Sequence, residues 1–331
     1  MKKIYKIFTF FLVFLISITS FNIKASKVDY VYLGGDSIGL KMNTGVYVVG
    51  KYQVQTKNGK KVPWNNTNIE IGDLIINANG IKIENNSQLN DYIKSCNLNE
   101  IQLEIKRNNQ IIKTNINLVL SSSGEKSIGL YVRDQILGIG TLTFITQENK
   151  YASLGHGIYE KQTLLSVLNG NLYNSIVQNI KKSEPGSAGE KRASLSQNII
   201  GNVIKNDTTG LYGTVKKIDK SKPLLKVAKQ QEVSKGFAKI YTVLESGNIE
   251  EFIIEIIDID YQKSKDIKGI KFKVVDEKLI QKTGGIIQGM SGSPIVQNNM
   301  IVGAVSHVTV DNPLYGYGMH IEWMIKEIYD F

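Results

Sequence analysis

The chain has 331 residues and a formal net charge of +10 at neutral pH. Its length allows two modest domains with separate cores, and 30 glycines against 5 prolines suit short strands joined by turns. The charge does not indicate nucleic acid, because Lys carries nearly all of it and Arg occurs only at positions 107, 133 and 192.

Residues 1–26 read as an export signal or membrane anchor. Lys2, Lys3 and Lys6 form a basic start, and an uncharged stretch follows from Ile7 to Ile23. That stretch is long for a signal core and short for a spanning helix, so cleaved and anchored forms both stay open. A buried core helix fits poorly, since helical polar periodicity is missing. The basic balance and this segment together favour association with an anionic membrane face. Cys96 is the single cysteine, which excludes an intramolecular disulfide and a cysteine-rich zinc site. It stands at the end of a helical stretch with no nearby His, so packing is its expected role.

Residues 28–120 form a first unit. Ser37-Ile38-Gly39-Leu40 precedes the strand-like Gly45 to Val49, and a polar insert runs from Gln55 to Asn68. Ile71 to Gly80 reads as tight turn, strand and turn, and Gln88 to Lys94 suits a short helix. Ile101 to Arg107 alternates at period two and makes a hairpin with Ile111 to Ile116 over Asn108-Asn109. This order resembles a PDZ domain of the bacterial type. The resemblance implies a groove that takes an extended peptide C-terminus by strand addition, with Ser37, Ile38, Gly39 and Leu40 as the carboxylate loop. The plain alternative is a small α/β spacer that binds nothing.

Residues 124–331 change character to short strands and turns, with a polar stretch, Lys181 to Arg192, expected as an exposed loop. Ile321, Ile325 and Ile328 fall on one face of a terminal helix. The fold class expected is mainly β: a PDZ-like α/β module, then a trypsin-like double β-barrel closed by a C-terminal helix.

Gly289-Met290-Ser291-Gly292-Ser293-Pro294 carries the chemistry. A serine hydroxyl needs a base to take its proton as it attacks, and the resulting oxyanion needs fixed donors. Gly289 allows a turn in which the N–H groups of Gly289 and Ser291 face one point. The strand that follows, Ile301 to Ser306, resembles the one backing the specificity pocket of trypsin-like enzymes. The bland alternative is a glycine turn with a capping serine.

Of three histidines, only His156 precedes the serine, as trypsin-like order requires of the base. It lies between Gly155 and Gly157; a buried structural histidine is the alternative. His307 is expected on a cleft wall, and His320 is expected to be structural. Asp258, Asp260 and Asp276 all lie between base and nucleophile, and Asp276 stands only fifteen residues before Ser291, so spacing does not choose among them. Met290 occupies the position where trypsin-like zymogens place the Asp that receives a new N-terminus, and it cannot form that ion pair. Gly285, six residues before the nucleophile, does not support an acidic pocket floor; with Ser306 and His307 it is a candidate lining of the substrate pocket.

Lys282 to Asn298, Val302 to Val308, Tyr317 to Trp323, Leu154 to Gly157 and Ser127 to Asp134 resemble the stage IV sporulation protein B family of serine peptidases. The resemblance implies a triad of His156, Asp276 and Ser291, and the choice of Asp276 comes from it alone. No metal or cofactor enters that chemistry. It further implies action during endospore formation, in the space between forespore and mother-cell membranes. There such a peptidase cleaves itself and a regulator of an intramembrane protease complex, releasing a sigma factor. The rival from another class is an inactive exported PDZ scaffold that docks envelope proteins.

Overall fold

Alternation of apolar and polar residues dictates the first strands. The computed structural model describes residues 28–331 except Asn109 and Ser246; the expected export segment, residues 1–26, lies outside the described residues. Strand β1 spans Ser37–Lys51, β2 Leu74–Ala78, β3 Glu100–Arg107 and β4 Gln110–Asn117. In β3, Ile101, Leu103 and Ile105 are fully buried, and Gln102 and Lys106 face out. Asn85 caps helix α1 (Asn86–Ser95) by accepting the Gln88 N–H at 2.9 Å. Leu89 and Ile93, one turn apart, are its buried face and join Ile75, Ala78, Leu103 and Ile105 in one core. Asp73 is 1 % exposed, and Arg107 satisfies it at two points, Nε to Oδ1 at 2.6 Å and Nη2 to Oδ2 at 2.8 Å. The insert expected as polar and irregular holds a small hairpin, Val54–Thr56 with Gly59–Lys61.

Strand β5 (Leu130–Ile145) runs antiparallel to β1, from Leu130 opposite Lys51 to Thr141 opposite Ser37. One end of this pair completes the first module; the other belongs to a barrel. With β6 (Lys150–Ser153), β7 (Asn169–Lys181), β8 (Glu190–Asp207) and β9 (Gly210–Val215), the circuit β1-β5-β6-β9-β8-β7 closes back on β1. Ile38, Leu40, Met42, Leu142, Tyr151 and Leu211 fill it.

This corrects the expectation for Ser37 to Leu40. They are not an open loop: they pair with Gly138–Thr141 on one side and Leu172–Asn174 on the other, and all four are buried. Both of their edges are committed to barrel ladders, so no row of N–H groups is left to grip a carboxylate.

A second barrel repeats the circuit. It is built from β10 (Gly236–Val243), β11 (Ile249–Ile259), β12 (Ile270–Val274), β13 (Pro294–Gln297), β14 (Met300–Val308) and β15 (Tyr315–His320). They close in the order β10-β11-β12-β15-β14-β13-β10. Helix α2 (Glu277–Thr283) interrupts it before β13, and α3 (Ile321–Ile328) ends it. Ile321, Ile325 and Ile328 are buried as their spacing predicts, against Ala152 and Tyr212 of the first barrel and Ala304 and Met319 of the second. The chain is therefore mainly β, a PDZ-like module followed by a double barrel. Among the described residues no helix is long and apolar enough to cross a membrane.

The polar hairpin between β7 and β8 is not a free surface loop. Ser183 and Lys191 are buried, and four backbone hydrogen bonds tie the hairpin to the second barrel: Ser183 N–H to Thr283 O at 2.8 Å, Gly186 N–H to Val310 O at 3.0 Å, Gln288 N–H to Gly189 O at 2.9 Å, and Lys191 N–H to Gln288 O at 2.9 Å.

Candidate active site

The first barrel delivers His156 just past the end of β6. Leu154 and Gly155 both take positive φ, +72° and +67°, which throws the chain off the strand. A side chain at 155 would start 2.6 Å from Val305 O, so glycine is required where the two barrels touch. The β8–β9 turn supports the loop from below: Gly157 donates to Thr208 O at 3.1 Å and Ile158 to Asn206 Oδ1 at 2.9 Å. His156 Nδ1 lies 2.9 Å from Gly157 O, which makes it the protonated nitrogen and leaves Nε2 with the lone pair. Burial holds the imidazole below its ordinary value, with the Gly157 carbonyl opposing. A neutral ring with a free Nε2 is the form a base requires.

The second barrel delivers Ser291 on the loop between α2 and β13. Gly289 and Gly292 have φ of +92° and +90°, and a side chain at 292 would start 2.2 Å from Thr141 O and 2.4 Å from Leu154 N. The serine loop thus sits directly against the loop that carries His156. Strand β5 holds it by its carbonyls: Thr141 Oγ1 donates to Gly289 O at 2.8 Å, Thr141 N–H to Ser291 O at 3.0 Å, and Thr143 Oγ1 to Gly292 O at 2.8 Å. With those carbonyls turned to the first barrel, the N–H groups of Gly289 and Ser291 have no hydrogen-bond partner among the described residues. Two unpaired donors flanking a hydroxyl that is itself unpartnered are what an oxyanion site needs.

His307 stands on β14 with its ring centroid 5.7 Å from that of His156. Burial, then the neighbouring His156, pushes it down to about 4. Ser306 is less available than expected, because its hydroxyl is spent on Ile267 O and Tyr317 O. Gly285 is buried in a turn, where a side chain would start 2.3 Å from Pro313 O. His320 Nε2 is 2.8 Å from Asp260 O, a structural placement. Asp258 pairs with Lys235 at 3.0 Å on the surface.

Asp276 is not brought to His156. Its carboxylate caps α2, Oδ1 accepting from Leu279 N–H at 3.0 Å, while Oδ2 accepts from Ile253 N–H at 3.1 Å. Both oxygens serve backbone donors of the second barrel, which corrects the orienting role that the resemblance implies for it. Asp207, the last residue of β8, meets the His156 loop through its backbone, its carbonyl lying 2.6 Å from where a side chain at 157 would begin, and its carboxylate makes no hydrogen bond to the imidazole. Its carboxylate takes Thr209 N–H at 3.1 Å and a Lys265 ammonium at 2.8 and 3.0 Å. Burial raises its affinity for protons, but Lys265 and the Thr209 donors outweigh it and hold it below the usual carboxylate range. Sequence reasoning missed Thr141 and Thr143, whose hydroxyls hold the serine loop.

A second site lies in the first module. Leu89 and Ile93 of α1 face Ile128, Leu130 and Val132 across a groove of about 360 Å³, with Lys126 and Ser127 at one end. Gly129 turns there with φ +68°, and residues 130–139 of β5 pair with β1 alone, so one strand edge faces the groove. The same tetrapeptide, Ser-Ile-Gly-Leu, occurs at 37–40 and 127–130; the second copy, not the first, lines the groove.

Two six-stranded barrels with the glycine-rich Ser291 loop at their seam are the architecture of a trypsin-like serine peptidase. A family model described as SpoIVB peptidase S55 matches residues 124–325, and the chain belongs to that family. Among solved structures, the active form of the Rv3671c protease from M. tuberculosis is similar at 13 % identity over 58 % of this chain and 73 % of that one, with a TM-score of 0.34. Its inactive form is similar at 14 % identity over 58 % and 83 %, with a TM-score of 0.35. The PDZ domain of an SdrC-like protein from Listeria monocytogenes is similar at 24 % identity over 27 % of this chain and 87 % of that domain, with a TM-score of 0.21. No curated protein matches.

Proposed function

We propose that this serine peptidase is an exported endopeptidase that acts in endospore formation, cutting itself and a regulatory protein held between two membranes. Family membership and the basic start and uncharged stretch within residues 1–26, which read as an export signal or anchor, support that setting, and the net positive charge supports association with a membrane face. In the chemistry, His156 Nε2 takes the Ser291 proton as Oγ attacks the scissile carbonyl. The N–H groups of Gly289 and Ser291 receive the oxyanion, and His156 returns the proton to the leaving amine. Gly157 O keeps the proton on Nδ1. Asp276 acts at a distance, by capping the helix that leads into the serine loop. The observation that carries this reading is the pair of unpartnered N–H donors beside the free Ser291 hydroxyl.

A fluorophosphonate probe tests it. The wild-type protein is expected to label at one serine, and Ser291→Ala is expected to fold with an unchanged melting curve and not to label. Labelling that survives the substitution overturns the nucleophile, and a wild-type protein that never labels favours the scaffold reading instead. In the groove, we propose that an extended peptide with an apolar C-terminal residue adds a strand to Leu130–Gln135, its carboxylate near Lys126. Amidating that peptide C-terminus should weaken its binding at least tenfold; equal affinity would remove the carboxylate from the account.

A further inference from the structure

Trypsin-like zymogens lock their oxyanion loop with an ion pair between a new N-terminus and an Asp next to the nucleophile. Met290 holds that place here and is fully buried, so something else must fix the loop. The hairpin between β7 and β8 lies where such a lock has to act. Gly189 and Lys191 pair with Gln288 by two backbone hydrogen bonds at 2.9 Å. The Lys191 side chain then runs beneath Gly289: its Cβ, Cγ and Cδ are 3.1, 3.3 and 3.2 Å from the point where a side chain at 289 would begin. Its ammonium ends inside the second barrel, 2.6 Å from the Oγ1 of buried Thr242.

A buried lysine with no carboxylate is costly, and proteins seldom keep one without a use. Lys191 is 6 % exposed, and among the described residues no Asp or Glu forms an ion pair with it. Burial alone pushes it down to about 7. Replacement by an apolar side chain of similar length would remove that cost, so stability does not account for it.

We propose that Lys191 is a built-in positioning residue for the oxyanion hole: its ammonium anchors on Thr242, and its stem, fixed there, packs beneath Gly289 and holds that peptide with the N–H turned toward the substrate. The first barrel thereby supplies, as a permanent side chain, the anchor that a zymogen acquires only by cleavage. The peptidase needs no cut N-terminus to organise this loop. The inference rests on the oxyanion assignment made above for Gly289 and Ser291.

The test is the kinetics of fluorophosphonate labelling, whose transferring phosphoryl oxygen must enter the same hole as Ser291 Oγ displaces fluoride. Lys191→Met keeps the stem and removes the ammonium. It is expected to lower the maximal labelling rate about tenfold or more, with the probe concentration for half-maximal rate within about twofold of wild type. It should melt no lower than wild type. Thr242→Val, which removes only the ammonium's acceptor, should shift the rate in the same direction by less, and carries the test if Lys191→Met does not fold. A maximal rate within about twofold of wild type in the folded Lys191→Met protein, or a change confined to probe affinity, overturns the proposal. Failure of the wild-type protein to label at all would instead count against Ser291, which keeps the two claims separable.

Discussion

The two barrels share one strand circuit and differ in almost everything their loops do. The first sends β1 and β5 beyond its own wall, where the same strands build the PDZ-like module; it contributes His156, the threonines that grip the serine loop, and Lys191. The second is sealed by helices α2 and α3 and contributes a loop whose four glycines, 284, 285, 289 and 292, all have positive φ. Neither barrel contains a site. The candidate residues His156 and Ser291 come from different barrels, and their loops meet at a seam where Gly155 and Gly292 let backbones approach too closely for any side chain.

That division of labour can be broken from either side. The largest expected effect is in the first barrel: His156→Ala should lower labelling and cleavage on the order of 10^4-fold, since the base is lost outright. Asp276→Asn, in the second, should behave differently. Its amide leaves Ile253 N–H facing another donor, costing about 1–2 kcal/mol of stability in thermal unfolding, with a rate loss far below that of the histidine variant. Equal losses in the two variants would restore Asp276 as a direct partner of the base. Gly292→Ala attacks the seam itself: with φ of +90° and Thr141 O and Leu154 N in the way, it should destabilise the protein by several kcal/mol and abolish labelling. A variant that melts and labels like wild type would show that the barrels are not so closely apposed.

The smallest effect is in pH. His156 is held below its ordinary value of 6.5 by burial, so it stays neutral as the pH falls past that value. Activity should therefore persist below about pH 6.5 and decline only further down, the acid limb lying under the usual imidazole range. The linkage has the same sign for stability: the unfolded chain takes up the proton first, so folding weakens as pH falls from 6.5 through the folded-state value. An acid limb at or above 6.5 would mean an exposed or carboxylate-paired imidazole.

How much of this was legible in the sequence depended on whether the signal was local. Period-two runs such as Ile101-Leu103-Ile105 and the helix face Ile321-Ile325-Ile328 report on their own neighbourhood, and both formed as read. The errors concern partners distant in the chain. Ser37 to Leu40 carry a loop-like tetrapeptide, but β5 and β7, more than ninety residues away, convert them into a central barrel strand. Lys181 to Arg192 are polar enough to read as solvent-exposed, yet Ser183 is buried against Ile286 and Lys191 against Thr242, both in the second barrel and far along the chain. Asp276 follows from a motif position, whereas its carboxylate is consumed by the nearest unpaired N–H groups, those of Leu279 and Ile253. Thr141 and Thr143 are invisible in sequence as supports of the serine loop, because only the packing of the two barrels brings β5 to residues 289–292.

A crystal structure of the fluorophosphonate adduct tests the central claim most directly. The account predicts phosphorus on the Oγ of residue 291, a phosphoryl oxygen about 2.7–3.1 Å from the amides of residues 289 and 291, and the imidazole of residue 156 alongside. An adduct whose oxygen points into solvent, away from both amides, would contradict it.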